Sequence, residues 1–397
     1  MKKFILFLFC AGSTLWLPAQ SYKKLHSNAI VVDTHNDILT TALDKGYSFD
    51  TDLKGKTHSD LARWKTGGVD VQVFSIWCNG TYGNGRAFAL ANRQIDTLYA
   101  VAARHPDQLT IVGNPAQLQK AVKQHKLAAM IGVEGGHMIE DRLDYLDSLY
   151  QRGARYLTLT WNNSTSWATS ALYEDSIQRN SISSARPLGL TAFGKQVVQR
   201  MNELGMLIDV SHVGEQTFRD VINTTTKPIL ASHSCAYSLC PVFRNLKDDQ
   251  IKAVAKNGGV IQLNFFSGFI DSTFMRRNAE FIQQHKAERD SLLKQVTDPY
   301  FADEYLFTKY AAEVTALRPP MSMLLDHLDY IVKLVGVDYV GLGSDFDGVN
   351  SLPQQLDDVT TFPLITKELL ARGYSKKDIR KILGGNFLRV LNANQSK

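Results

Sequence analysis

The sequence predicts a (β/α)8 barrel of the TIM type, with a helical insertion after the seventh strand. Two observations carry this. Eight short apolar runs recur, at 29–33, 69–77, 128–134, 156–160, 206–209, 228–232, 260–264 and 339–344. Most are nearly continuous in β-branched and aliphatic residues, as strands buried on both faces are. Between them lie segments of helical periodicity, among them 86–104, 143–152, 191–204 and 324–335. Strand alternating with helix gives parallel βα units, and eight of them fit one closed barrel. A doubly wound open sheet is the alternative that the same alternation allows.

Taken in order, the first element is a leader. "MKKFILFLFCAGSTLWLPAQ" carries two lysines, an interrupted apolar run and a small residue, Ala19. That is the pattern of a secretory signal over 1–20. Its apolar part is too short for a transmembrane span. A single domain over 21–397 is then expected outside the cytoplasm, in a periplasm or the extracellular space. Of the 397 residues, 44% are hydrophobic and 21% charged, with a net charge of +5. No basic stripe interleaves with aromatics, so a nucleic-acid partner is not expected. After the leader only Cys78, Cys235 and Cys240 remain. Three cysteines leave room for one bridge at most and make no disulfide scaffold, so they read as structural. The charged stretch at 267–320, including "MRRNAEFIQQHKAERDSLLKQV", breaks the βα rhythm and reads as the insertion, laid over the top face.

The chemistry sits where the runs end. "VVDTHNDI" delivers His35 and Asp37, two apart and so on one side of an extended chain. "AAMIGVEGGH" ends in Glu134, "MLIDVSH" in Asp209 and His212, "PILASHS" in His233, and "YVGLGSDFDG" in Asp345 and Asp347. Each alone is as well explained by a hydrogen-bonded turn. Together they stand at the ends of five of the eight candidate strands, and a barrel gathers all its strand C-termini at one face. Three imidazoles with several carboxylates match the ligand preferences of zinc, and less closely those of manganese or iron. There are enough ligands for two ions, with a carboxylate such as Glu134 able to bridge them. The other seven histidines, His26, His58, His105, His125, His137, His285 and His327, show no converging partner in the sequence and are set aside.

These motifs, with "YLTLTWNN", "AYS", Arg244–Asn245 and "GGNFLRVL", stand in the order and rough spacing of the renal, or membrane, dipeptidase family of metallopeptidases, which the chain resembles over essentially its whole mature length. The resemblance implies a (β/α)8 barrel within the amidohydrolase group and two Zn2+ per chain. His35 and Asp37 would bind one zinc, His212 and His233 the other, with Glu134 and a water or hydroxide bridging. Arg244 would match the arginine that grips the dipeptide carboxylate. Asp345 would match the catalytic aspartate, beside the bridging water and the substrate amine. The implied reaction is hydrolysis of dipeptides, L,L and also L,D, by the metal-bridging hydroxide; a homodimer is a common assembly of the family. One departure stands out: Trp161 occupies the position where many members carry a substrate-contacting histidine. Indole donates one N–H and carries no charge. Asn162 or Asn163 is a candidate neutral donor in its place. Another binuclear-zinc amidohydrolase, acting on N-acyl amino acids or related amides, is the alternative that Trp161 favours.

Overall fold

The computed structural model describes residues 20–83, 85–295 and 299–395. The stretch 1–20 that the sequence reads as a secretory signal therefore lies, but for Gln20, outside the described residues. Nine strands are present among the described residues: β1 (Val32–Asn36), β2 (Val71–Trp77), β3 (Leu109–Ile111), β4 (Leu127–Glu134), β5 (Ala154–Thr158), β6 (Leu207–Asp209), β7 (Leu230–Ala231), β8 (Val260–Leu263) and β9 (Val340–Leu342). Eight pair in parallel in the order β1-β2-β4-β5-β6-β7-β8-β9. The ring closes where Asn36 bridges to Phe346, with Asp37 N–H donating to Phe346 O at 2.9 Å and Asp345 N–H to His35 O at 3.1 Å. Closure therefore seats the end of β1 against the loop after β9. The barrel is the predicted one, and the open sheet is set aside.

Each predicted run contains or overlaps a strand, with shifted ends that have local causes. β1 starts at Val32 because the Val31 N–H is taken by the Asp70 carboxylate at 2.9 Å. It runs on through His35, so that histidine is in the strand and not beyond it. β7 is only two residues long. The next N–H, of Ser232, goes to the Asp209 carboxylate at 2.8 Å instead of to a ladder partner. β3 is an addition that apolar runs did not reveal; it pairs with β4 off the barrel path.

Strand alternation divides the core. Val71, Val73, Met130, Tyr156, Leu207, Leu230 and Val260 point into one cluster, closed below by Phe387, Val390 and Leu391 of the C-terminal helix Asn386–Asn394. The other parity, including Ile76, Ile131, Leu157, Ile208 and Leu342, packs on the surrounding helices. Tyr156 reaches across the barrel because residue 132 is glycine. A Cβ there would sit 2.0 Å from the Tyr156 ring.

The predicted helices appear as Ala87–Arg104, Leu143–Gln151, Ala192–Leu204 and Met321–Val335. Between β8 and β9 lies the insertion, with helices Phe274–Gln284, Lys286–Leu292, Pro299–Lys309 and Ala311–Leu317. It has its own small cluster of Phe281, Leu306 and Phe307. Arg318 ties its end to the top face, donating to Leu352 O and Pro353 O at 2.7 Å each. Lys45, after β1, meets Glu304 at 2.6 Å. Cys78, Cys235 and Cys240 are all buried free thiols, so the one bridge that three cysteines allow is not formed among the described residues. Among those residues no helix is long and apolar enough to cross a membrane.

Candidate active site

Glu134 is the centre of the strand-end cluster. It closes β4, opposite Trp77 on β2 and Thr158 on β5. Its two oxygens face different partners. Oε2 lies 3.3 Å from His35 Nε2. Oε1 lies 2.8 Å from His212 Nε2 and 3.5 Å from His233 Nε2. The same His35 Nε2 is 3.3 Å from Asp37 Oδ2 and 3.9 Å from Asp345 Oδ1. Residues spread over three hundred positions thus enclose one small volume, and all are buried.

Each imidazole has its Nδ1 engaged outward and its Nε2 turned inward. Tyr156 Oη donates to Thr34 O at 3.2 Å, so its lone pair takes the His35 Nδ1–H at 2.8 Å. His212 Nδ1 meets Asn162 Oδ1 at 3.1 Å. His233 Nδ1 meets Ser232 Oγ at 2.7 Å. With Nδ1 protonated, each Nε2 presents a bare lone pair. Two of these, on His212 and His233, approach to 3.0 Å. Two lone pairs so close repel unless a proton or a cation stands between or beside them. His35 Nε2 and Asp37 Oδ1 are buried without a hydrogen-bond partner among the described residues. His35, Glu134 and His233, and likewise His35, Asp37 and Asp345, each offer donor atoms within 4.8 Å of one another. The donor set of imidazole nitrogens and carboxylate oxygens, with orphaned atoms at its centre, fits metal binding.

The backbone is bent to make the cluster. His212 and Asp345 have φ of 66° and 62°, and Asp347 has 67°. Such left-handed conformations in non-glycine residues cost energy and concentrate at functional sites. Gly348 leaves the space open: a Cβ there would lie 2.2 Å from Asp37 Oδ2 and 2.7 Å from Asp345 Oδ1.

Electrostatics follow from burial and proximity. Burial would raise the Glu134 carboxyl, but the three imidazoles gathered around it, that of His35 first, hold it well below the usual range. Burial, then the Arg244 charge, push His212 down to about 4. Burial carries Asp345 up to about 7. Its Oδ2 accepts from Asn264 Nδ2 at 2.7 Å. Arg244 is buried, lies over the Phe269 ring at 5.3 Å and donates to His233 O at 3.3 Å. Burial lowers it to about 10, which leaves it charged at neutral pH. It lines a cavity shared with His212, Val213, Tyr237 and Lys247. Trp161 stands at the edge of the site, 6.4 Å from the His212 ring and edge-on to Trp77 at 5.0 Å.

His35, Asp37, Glu134, His212, His233, Asp345, Arg244 and Trp161 therefore fall in or beside one cluster, whereas the Asp347 carboxylate turns to His58 N–H and Ser59 Oγ. Of the two asparagines offered as donors, Asn162 is instead an acceptor for His212, and Asn163 Oδ1 is buried without a partner among the described residues. Tyr156, Asn264 and Ser232 were missed; they lie inside the strand runs, where nothing in the sequence separates a buried polar side chain from its neighbours. Of the histidines set aside, His58 accepts from Asp347 N–H at 2.9 Å, His26 bridges Thr366 and Gly67, His137 meets Cys78 O, His105 pairs with Asp50, and His327 bridges Ala236 N–H and Ile270 O.

A parallel barrel whose strand ends converge histidines on a shared carboxylate is the layout of a metal-dependent hydrolase. The chain belongs to the membrane dipeptidase family (Peptidase family M19), whose profile it matches over residues 19–397. It is 32% identical over 364 residues to Dipeptidase 3 of Mus musculus, covering 91% of this chain and 63% of that protein. The chain thus spans less than two thirds of that relative. In structure it superposes on the probable dipeptidase PvdM from Pseudomonas aeruginosa with a TM-score of 0.76 at 25% identity, covering 95% of this chain and 98% of that one. A metallo peptidase from Rhodobacter sphaeroides, liganded with a phosphinate mimic of the dipeptide L-Ala-D-Ala, shares the fold with a TM-score of 0.74 at 23% identity, over 93% of this chain and 100% of that one.

Proposed function

We propose that this chain is an exported zinc-dependent dipeptidase holding two Zn2+. The observation that carries this reading is Glu134, whose Oε2 faces His35 with Asp37 beside it and whose Oε1 faces His212 and His233. His35 and Asp37 would hold one ion, His212 and His233 the other, with Glu134 between them. When bound, the pair supplies Lewis-acid polarisation of the scissile carbonyl and lowers the pKa of water toward neutrality.

The chain's own residues do the rest. Asn264 occupies Asp345 Oδ2 and orients Oδ1 toward the centre. Oδ1 would take a proton from the attacking water and return it to the leaving amine. Burial brings the Asp345 carboxyl near neutrality, where it both accepts and gives up a proton readily; adjacent cations would draw it toward the ionised form. Arg244, buried and charged beside the His212 cavity, suits the free carboxylate of a C-terminal residue. An enzyme that cuts within long chains has no use for such a clamp, so it favours dipeptides.

A second reading keeps the metals and changes the substrate. Trp161, packed on Trp77 beside His212, offers an apolar wall where the family often has an imidazole. That wall favours the acyl group of an N-acyl amino acid. Hydrolysis of an L,L-dipeptide, an L,D-dipeptide and an N-acetyl amino acid separates the two. Faster turnover of the dipeptides supports the first reading; activity confined to the N-acyl compound replaces it with the second.

A further inference from the structure

Beneath His233 lies a buried carboxylate that the reaction above does not use. Asp209 closes β6 and is fully buried, and no cation pairs with it among the described residues. It is held by four donors instead. Oδ1 accepts from Ser232 N–H at 2.8 Å and Ser211 N–H at 3.1 Å. Oδ2 accepts from Thr158 Oγ1 at 2.5 Å and Ser232 Oγ at 2.6 Å. The Ser232 hydroxyl hydrogen is thereby committed to Asp209; its other acceptor, Ser211 Oγ, is farther at 3.4 Å. A hydroxyl that donates to a carboxylate must accept from its other neighbour, here His233 Nδ1 at 2.7 Å.

We infer that Asp209, acting through Ser232, is a positioning residue that fixes His233 as the Nδ1–H tautomer and aims its Nε2 at the Glu134 centre. His35 has a different device, the neutral phenol of Tyr156. The two sides of the cluster are thus supported unequally: behind His233 stands a buried carboxylate one hydroxyl away, and behind His35 a phenol. A carboxylate behind a ligating histidine raises its basicity, and loss of such a partner typically weakens metal binding about 10–100-fold. This rests on the metal-site reading above.

Asp209→Asn disturbs four hydrogen bonds and risks the fold, so the test uses gentler changes. Ser232→Ala cuts the link to His233. Thr158→Val removes another donor to Asp209 but leaves the link whole. Zinc affinity of both variants and of the wild type is measured by chelator competition, together with the visible absorption of the cobalt-loaded proteins and the melting temperature of the metal-free ones. The expected result is about 10-fold or more weaker binding of one of two ions in Ser232→Ala, an altered cobalt spectrum, and near-wild-type behaviour in Thr158→Val. Equal losses in both variants, a loss that only follows a lower metal-free melting temperature, or wild-type affinity in Ser232→Ala would each overturn the relay while leaving the metal site standing. A wild-type protein that binds no zinc overturns both.

Discussion

At the scale of single residues, the site depends on side chains whose unoccupied atoms point inward. In the proposed reaction Asp345 moves a proton and holds no ion. Asp345→Asn keeps the acceptor toward Asn264 and removes the base. It should lower kcat by about 10²–10⁴-fold while metal content stays at the wild-type level; metal loss in proportion to activity would reassign it as a ligand. Arg244→Ala should raise KM for dipeptides and change little for a neutral amide without the carboxylate, since only the former engages the guanidinium; steady-state kinetics on both substrates checks this. Gly348→Ala would place a methyl group against Asp37 and Asp345. It should cost metal affinity about 10-fold or more without unfolding the barrel, read by zinc titration beside a circular-dichroism melt. The ligand types were legible in the sequence because imidazoles and carboxylates at strand ends are few and chemically distinct. Their supports were not. Tyr156, Ser232 and Asn264 look like ordinary residues of a buried strand until the barrel closes and shows which of them touch a histidine or Asp345.

At the scale of elements, the apolar runs located every barrel strand but misplaced several ends. A run is read as over when polar residues begin, yet β1 carries Thr34, His35 and Asn36 within the strand because a barrel's interior top is polar. β7 is cut short because a side chain, Asp209, substitutes for a ladder partner. Neither effect is local in sequence. The insertion was legible as an interruption of the βα rhythm, but its attachment through Arg318 was not, since it depends on carbonyls some 34 residues later. That attachment predicts an outcome. Arg318→Ala removes the bonds to Leu352 and Pro353. It should speed hydrogen exchange in helix Ala311–Leu317 while the amides of β4 keep their protection, because the barrel ladder does not pass through the insertion. Uniform loss of protection would show that the insertion is part of the barrel's cooperative unit.

At the scale of the whole molecule, the barrel concentrates three carboxylates and three imidazoles from β1, β4 and the segments after β1, β6, β7 and β9 into a buried centre, an arrangement that is costly without cations. Zinc should therefore stabilise the fold as a ligand that binds only the native state, by about 2.7 kcal/mol when its free concentration is 100 times Kd. A chelator should lower the melting temperature reversibly; an unchanged melt would mean that the cluster binds nothing. The central claim is that Glu134 joins two cation positions, and elemental analysis tests it most directly. Wild-type protein should carry close to two zinc ions per chain, and Glu134→Ala one or fewer. A wild type without zinc, or a Glu134→Ala variant that keeps the wild-type content, would contradict it.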